Sequence, residues 1–581
     1  MRTTSYINYP GEITKVIFEI ISYNPQLFFL TWKIIGVLFG AVLFYFAFRS
    51  FSKIESIEIK EKKSKASIIF FLIALLGVGV LTIPNLILKA QCVDEDYWIC
   101  GASLFLNGEI PWKSVSTFTG GPLTYIGVSL MYFLVGELNY ASIRLFNLFF
   151  CIYPAIIFVY LTFKFSFKKE LAFILIVPMI MLFAYVKSSA LIAYASEFPP
   201  MMLSAISMWI FIKIQKKKKI LQLVLLGFIL GLFPYTKLQS VPIGLTIALC
   251  SFIEIIISKT HLLKNKLTSS FFLILGGILP SLICYIYLFY NNALLDFWAD
   301  NILFNLSYTK EEITSKVKFF DIYLMALQMP ELWVMIYCFC VLCFLSLFIL
   351  HLNKKKIVSS ELKILIYLFI IFLSSLISVA LPGRFFGHYQ TLAIVPFIIF
   401  AGHLIGITIP VAISNHTKNQ ILIFLLLAFI PLSLLWFRGN QGIDFVNKKG
   451  NYSLSPIAKE ILLYGKPNET LTSWGWGIEY NVETGLIPGI KPMTCWYEIR
   501  DTNKIANPYL DSYISNITAY RPIIFIDAVG PHSFMYNNRM RQGHENFYLL
   551  DNFIEENYKL VSEIDSVRIY VLNNRYNQIK M

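Results

Sequence analysis

Charge is scarce in this sequence. Asp, Glu, Lys and Arg make up 14% of 581 residues, while 57% are hydrophobic, against about 25% charged in an ordinary soluble domain. That excludes a soluble globular chain. The nine cysteines fall in no zinc-ligand spacing. Cys338, Cys340 and Cys343 share one apolar run and read as small core residues. Cys92 and Cys100 flank an acidic triplet, where free thiols fit better than a disulfide. There is no internal repeat and no low-complexity tract. The first long apolar run lies well inside the chain without a small-residue cleavage pattern, so no cleavable signal peptide is expected. The net charge of +14 is no nucleic-acid signal, because the lysines sit in short loops between apolar runs, where they report orientation.

Those runs approach the roughly 20 residues that cross a bilayer as helix. The expected fold class is an α-helical polytopic membrane protein of about 11–13 spans with a C-terminal soluble α/β domain. Residues 1–26 hold an interfacial amphipathic helix, with Ile13, Val16, Ile17, Ile20 and Ile21 on one face. Residues 27–437 form the transmembrane domain, with a first outer loop at 90–120. Residues 438–581, richer in polar residues, carry short strands such as Ile523–Ile526 and Val567–Leu572 and a helical pattern at 547–558. The lysine clusters at 53–65, 164–169, 213–219, 259–266 and 351–356 place those loops in the cytoplasm. Parity fails once. Between 65 and 164 an even number of crossings is needed, but three apolar runs are present, at 67–89, 121–136 and 144–163. The last spans expected, at 392–410 and 421–437, leave the C-terminal domain outside.

The segment from Gln91 to Tyr125 follows the second span and opens with Asp94, Glu95 and Asp96. Acids at the lip of a span either keep a loop solvated or serve a site. Other polar groups map to the same side: Glu197 before Pro199-Pro200, Lys237 after Pro234, and Arg384 with His388 and Tyr389 after Pro382-Gly383. Each has a plainer reading. Lys237 could snorkel to the interface, Glu197 could complement a helix dipole, and His388 could be an ordinary interfacial histidine. In GRFFGHY, Arg384 and His388 stand four apart, one helical turn, a geometry suited to gripping a phosphate. Taken together, carboxylates able to deprotonate a hydroxyl and cations able to hold a leaving phosphate describe glycosyl transfer from a lipid phosphate.

At these residues the sequence resembles the polytopic glycosyltransferases of the GT-C fold, which include protein O-mannosyltransferases and lipid A aminoarabinose transferases. The likeness is carried by Asp94-Glu95 after a leading span, Gly-Pro-Leu at 121–123, Arg144 in ASIRLFN, Glu197 in ASEFPP, Lys237 in YTKLQ, GRFFGHYQTLAIVP, and LTSWGWGIEYNVETG in the outer domain. Thr119-Gly120-Gly121-Pro122 departs from the family's usual Lys or acid with Pro-Pro, and the extra early span is also unusual. The resemblance implies a polyprenyl-phosphate sugar donor, a lipid or protein acceptor, and transfer on the non-cytoplasmic side of the plasma (inner) membrane. It implies Asp94, Glu95 and Glu197 as catalytic acids. Lys237, Arg384, His388 and Tyr389 would bind donor phosphate, with Asp96 and Arg144 in support. No cofactor is required by the pattern; Asp94 and Asp96 would be the ligands if a divalent ion is used, though two acids alone are few for such an ion. A lipid-linked sugar transporter or flippase is the competing reading, but it would place its ionisable groups near the midplane and usually show a repeat.

Overall fold

The computed structural model describes residues 4–53, 66–216, 218–258, 262–313, 329–352, 357–384, 386–413, 453–495, 498–499 and 508–580. Among them, nine helices are long and apolar enough to cross a membrane: Pro25–Ser50, Ile68–Ile87, Tyr140–Ser166, Phe198–Lys216, Leu238–Ile257, Leu263–Tyr290, Glu331–Phe348, Ser359–Ala380 and Gly387–Thr408. The chain is a helical polytopic membrane protein. The span expected at 421–437 and the lysine loops at 54–65 and 353–356 lie outside the described residues. A further helix, Lys169–Ala184, is buried along its whole length from Leu171 and packs against the first three of these spans. Ile220–Gly231 crosses Leu263–Tyr290 at very close range, since a Cβ on Gly227 would lie 2.1 Å from the Leu273 carbonyl oxygen. Only glycine permits that approach.

The ambiguous run at 121–136 does not cross. It is the helix Pro122–Val135, 14 residues long, about 21 Å at 1.5 Å per residue, short of the roughly 30 Å hydrocarbon core. Pro122 starts it, and Gly136 ends it in the left-handed conformation. At its start the Gly121 N–H donates to the Thr236 carbonyl at 2.7 Å; just past its end Leu138 bonds Tyr6 and Asn8 at 2.9 and 3.1 Å. Between the lysine clusters at 53–65 and 164–169 the described helices long enough to span are then two, Ile68–Ile87 and Tyr140–Ser166, the even number that the loops require. The N-terminal helix is Glu12–Tyr23, with Val16 and Ile20 exposed at 53% and 63%.

The C-terminal part is a five-stranded sheet of order β2-β1-β3-β5-β4, comprising β1 (Thr470–Trp474), β2 (Ile487–Pro488), β3 (Ile524–Asp527), β4 (Tyr558–Ile564) and β5 (Val567–Leu572). β2, β1 and β3 are parallel, and β5 and β4 add antiparallel. β3 is buried on both faces, while β5 alternates, as expected for a covered parallel strand and a half-exposed one. The two-residue turn between β4 and β5 uses Asp565 and Ser566 at positive φ, which matches the twist of a hairpin. One sheet face packs in its own cluster (Ile524, Ile526, Ile569), whereas Phe525, Trp474 and Tyr513 join the apolar core of the helices.

One buried pair seats the acidic helix (Val93–Leu106). Arg144, on Tyr140–Phe146, donates from Nε and one terminal nitrogen to the two Glu95 oxygens at 2.8 and 2.7 Å. Its other N–H groups reach the carbonyls of Asn85, Leu88 and Lys89 at 2.8, 2.7 and 2.8 Å. These carbonyls close the Ile68–Ile87 span, so one guanidinium ties the span's end to the helix that follows. Breaking a buried pair by removing one partner costs about 3–5 kcal/mol. Glu95→Gln and Arg144→Met should each lower stability by that order in detergent unfolding, and the double variant should recover only part, since the three carbonyls lose their donor.

Candidate active site

Successive residues on a helix stand about 100° apart, so the three acids fan out. Asp94 faces a cavity of about 500 Å³. Glu95 points away to Arg144, with the Gln91 and Tyr194 N–H groups at 2.9 and 3.2 Å completing its shell. It is fully buried and is not among the residues lining the cavity; the structure does not bring this expected catalytic acid to the site. Asp96 accepts from the Tyr140 hydroxyl and reaches the cavity margin. Burial pushes the Asp96 carboxyl well above the usual range, with Glu479 adding to the rise.

Across from Asp94 stands His388, its Nε2 3.8 Å from Asp94 Oδ2 and 3.9 Å from Glu197 Oε1. Glu197 is fully buried and paired to Lys237; Lys237 Nζ also donates to Ser196 Oγ at 2.8 Å and lies 4.7 Å from the Tyr389 ring centroid. Burial alone would raise the Glu197 carboxyl, but Lys237 and His388 hold it below its ordinary value. For Asp94 the balance reverses. Burial raises it more than His388 and Lys237 lower it, which makes a better proton acceptor than an ordinary carboxylate. Lys237 is placed by its neighbour strand of backbone. A Cβ on Gly121 would sit 2.1 Å from the Tyr235 carbonyl oxygen, so glycine there lets the Thr-Gly-Gly-Pro segment lie directly against residues 235–236.

The helical turn expected from Arg384 to His388 is absent. Gly383 has φ +66°, Phe386 is extended, and only Gly387–Gln390 forms a 3-10 turn. Arg384 therefore departs from His388, stacking over Tyr308 at 3.8 Å from the ring centroid, and is not among the described residues lining the cavity. Asp96 is taken up by the Tyr140 hydroxyl and does not belong to the donor cluster that includes Asp94. The donors that do converge are Cys92, Asp94 and His388, with ligand atoms within 4.8 Å of one another. Sulfur, oxygen and imidazole nitrogen suit a borderline ion such as zinc. Cys92 and Cys100 are both free thiols.

Several cavity residues escaped the sequence reading. Trp476 and Glu479 follow the carboxyl end of β1, and His532 and Phe534 follow that of β3, where parallel sheets regularly present ligand-binding residues. Trp476 and Glu479 lie inside LTSWGWGIEYNVETG, so a signal existed for them. Tyr308 and Phe118 carried none. Beside the cavity runs a groove of about 360 Å³ lined by Leu238, Ile302, Leu306 and Leu381. Lys237, Tyr308, Tyr389 and Thr119 line both.

With this geometry in hand, the chain can be set beside known proteins. No protein-family model and no curated protein matches it. Among solved structures it is similar to oligosaccharyltransferases. The Archaeoglobus fulgidus oligosaccharyltransferase in complex with Zn and sulfate is 11% identical, with a TM-score of 0.38 over 78% of this chain and 67% of that one. AglB of the same organism, in complex with an inhibitory peptide and a dolichol-phosphate, is 10% identical, with a TM-score of 0.41 over 80% and 70%. The apo form gives 11% and 0.40 over 78% and 69%. At such values the likeness does not bear on chemistry, which rests on the side chains described above.

Glu479 offers a test of the site's electrostatics. Burial, with Glu483 nearby, lifts its carboxyl from 4.5 to about 7. Between those values the native state keeps a proton that the unfolded chain has lost, so stability is highest below pH 4.5 and falls as pH rises through about 7. Melting temperature measured against pH should show that decline, and Glu479→Gln should flatten it, leaving the variant the more stable protein at pH 8.

Proposed function

We propose that this chain is a membrane glycosyltransferase that moves a sugar from a polyprenyl-phosphate donor to an acceptor hydroxyl on the non-cytoplasmic side. One observation supports this above the rest: Lys237, a buried cation, stands where a polar cavity meets an apolar groove. A lipid phosphate is the ligand with that division, its tail in the groove and its charge at the junction. Asp94 takes the proton of the acceptor hydroxyl. The freed oxygen attacks the anomeric carbon, the bond from that carbon to the phosphate oxygen breaks, and the phosphate leaves with the electron pair. Lys237 stabilises that charge. Glu197 fixes Lys237, His388 orients Asp94, and Arg384 and Tyr389 hold the wall through Tyr308 and the Lys237 contact. A divalent ion held by Cys92, Asp94 and His388 would supply Lewis-acid stabilisation of the phosphate.

The lysine-rich loops support a cytoplasmic end opposite the cavity. An impermeant thiol reagent should label Leu463→Cys, 65% exposed on the C-terminal part, in intact cells, and should spare Leu262→Cys, 76% exposed beside Lys264 and Lys266. The reverse pattern would invert the topology.

Asp94→Asn keeps size and hydrogen bonding but cannot accept a proton. It should bind donor normally and turn over at least about a hundredfold more slowly, the lower end of a general base's contribution. Transfer from a radiolabelled polyprenyl-phosphate sugar in proteoliposomes is the measurement. Near-normal turnover would remove Asp94 from the chemistry; donor translocation without transfer would favour a flippase.

A further inference from the structure

A second cavity, of about 620 Å³, adjoins the catalytic one, well inside the range of about 300–1,000 Å³ typical of small-ligand sites. Three separate parts of the chain wall it. The loop after the acidic helix gives Lys113 and Phe118, the region near 300 gives Asp296 and Phe304, and the C-terminal part gives Glu498 and Tyr509. The acidic helix itself links the two cavities. Tyr97 stands three residues after Asp94, one turn along the same face, and lines the second cavity as Asp94 lines the first. Phe118 lines both, its ring 5.8 Å from Tyr97, 5.4 Å from Phe304 and 6.1 Å from Trp476. Its φ is +49°, a backbone conformation that bulky residues rarely adopt and that collects at functional positions.

We propose that this second cavity binds the acceptor, and that the acceptor is a saccharide whose hydroxyl reaches Asp94 past Phe118. The inference rests on the glycosyltransferase reading above. The chemical class follows from the lining. Acids (Asp296, Asp300, Glu498) and lysines (Lys113, Lys491) nearly balance, and Lys491 is already bound to Asp300 at 2.7 Å. A phosphate would want surplus positive charge, a basic peptide surplus negative charge, and an acyl chain no charge. Carboxylates that accept from hydroxyls, beside aromatic faces on which a sugar ring can lie, suit a neutral polyol ring.

Saturation-transfer difference NMR on the full chain in nanodiscs, without donor, tests this directly. The probes are chitobiose and maltotriose, with the tripeptide Gly-Asn-Gly as comparator. At least one disaccharide or trisaccharide should bind, and Asp296→Asn and Tyr509→Ala, both checked for unchanged melting, should each weaken it about tenfold, the first by losing a hydrogen bond to a charged group and the second by losing an aromatic face. Binding of the tripeptide alone would overturn the saccharide assignment, and binding of neither class, or saccharide binding indifferent to Asp296 and Tyr509, would overturn the site. Saccharide binding without transfer when donor is added would leave the site standing and sink the transferase reading, so the two failures are told apart.

Discussion

The Arg144–Glu95 pair is the contact on which the cavity depends. An arginine has five N–H groups, and here each has an oxygen partner in the low-dielectric interior. A buried pair with every donor satisfied is strong in place and costly to break, so it fixes the rotation of the acidic helix. Rotation decides everything downstream. A turn of one residue would send Asp94 to the back and bring a neighbouring acid to the cavity. Glu95 thus acts on the chemistry by choosing which carboxylate faces it.

The second buried pair, Lys237–Glu197, shows a different balance. Glu197 has no exposure and Lys237 almost none, so both charges lie where solvation is poor. The cost is offset by Ser196, by the Tyr389 ring and by the nearby His388. Such an arrangement holds the Lys237 side chain in one position at the edge of an apolar groove. It also means that any anion binding there meets a preorganised cation with little reorganisation to undergo.

How much was legible in the sequence depends on range. The apolar runs and the fan of three acids follow from local periodicity, and β3, β5 and the helix near 550 were readable from short patterns. Asp94, Glu197, Lys237 and His388 converge as their shared placement at span ends suggested. Arg384 misled because helical spacing was assumed from it to His388, whereas Phe386 between them is extended. Glu95 misled because its partner, Arg144, lies 49 positions away, and only folding shows that its charge is already spent. Cys92 and His388 are 296 positions apart by number, and nothing local marks them as neighbours. Trp476 and His532 arrive from the ends of parallel strands, a topology that spacing alone does not disclose.

Two helices at the cavity's end of the molecule lie beside the bundle without passing through it. Glu12–Tyr23 exposes Val16 and Ile20, and Pro122–Val135 exposes Leu130, Phe133 and Leu134; Tyr6 stacks edge-on to Tyr132 and couples the two. Spanning helices register on bilayer thickness and tilt when it changes, whereas helices resting at the interface register on the headgroup plane. Gly121 joins the second of these helices to the segment that carries Lys237, so if both exposed apolar faces rest in the headgroup plane, that plane and not the bilayer's thickness would set the depth of the cavity.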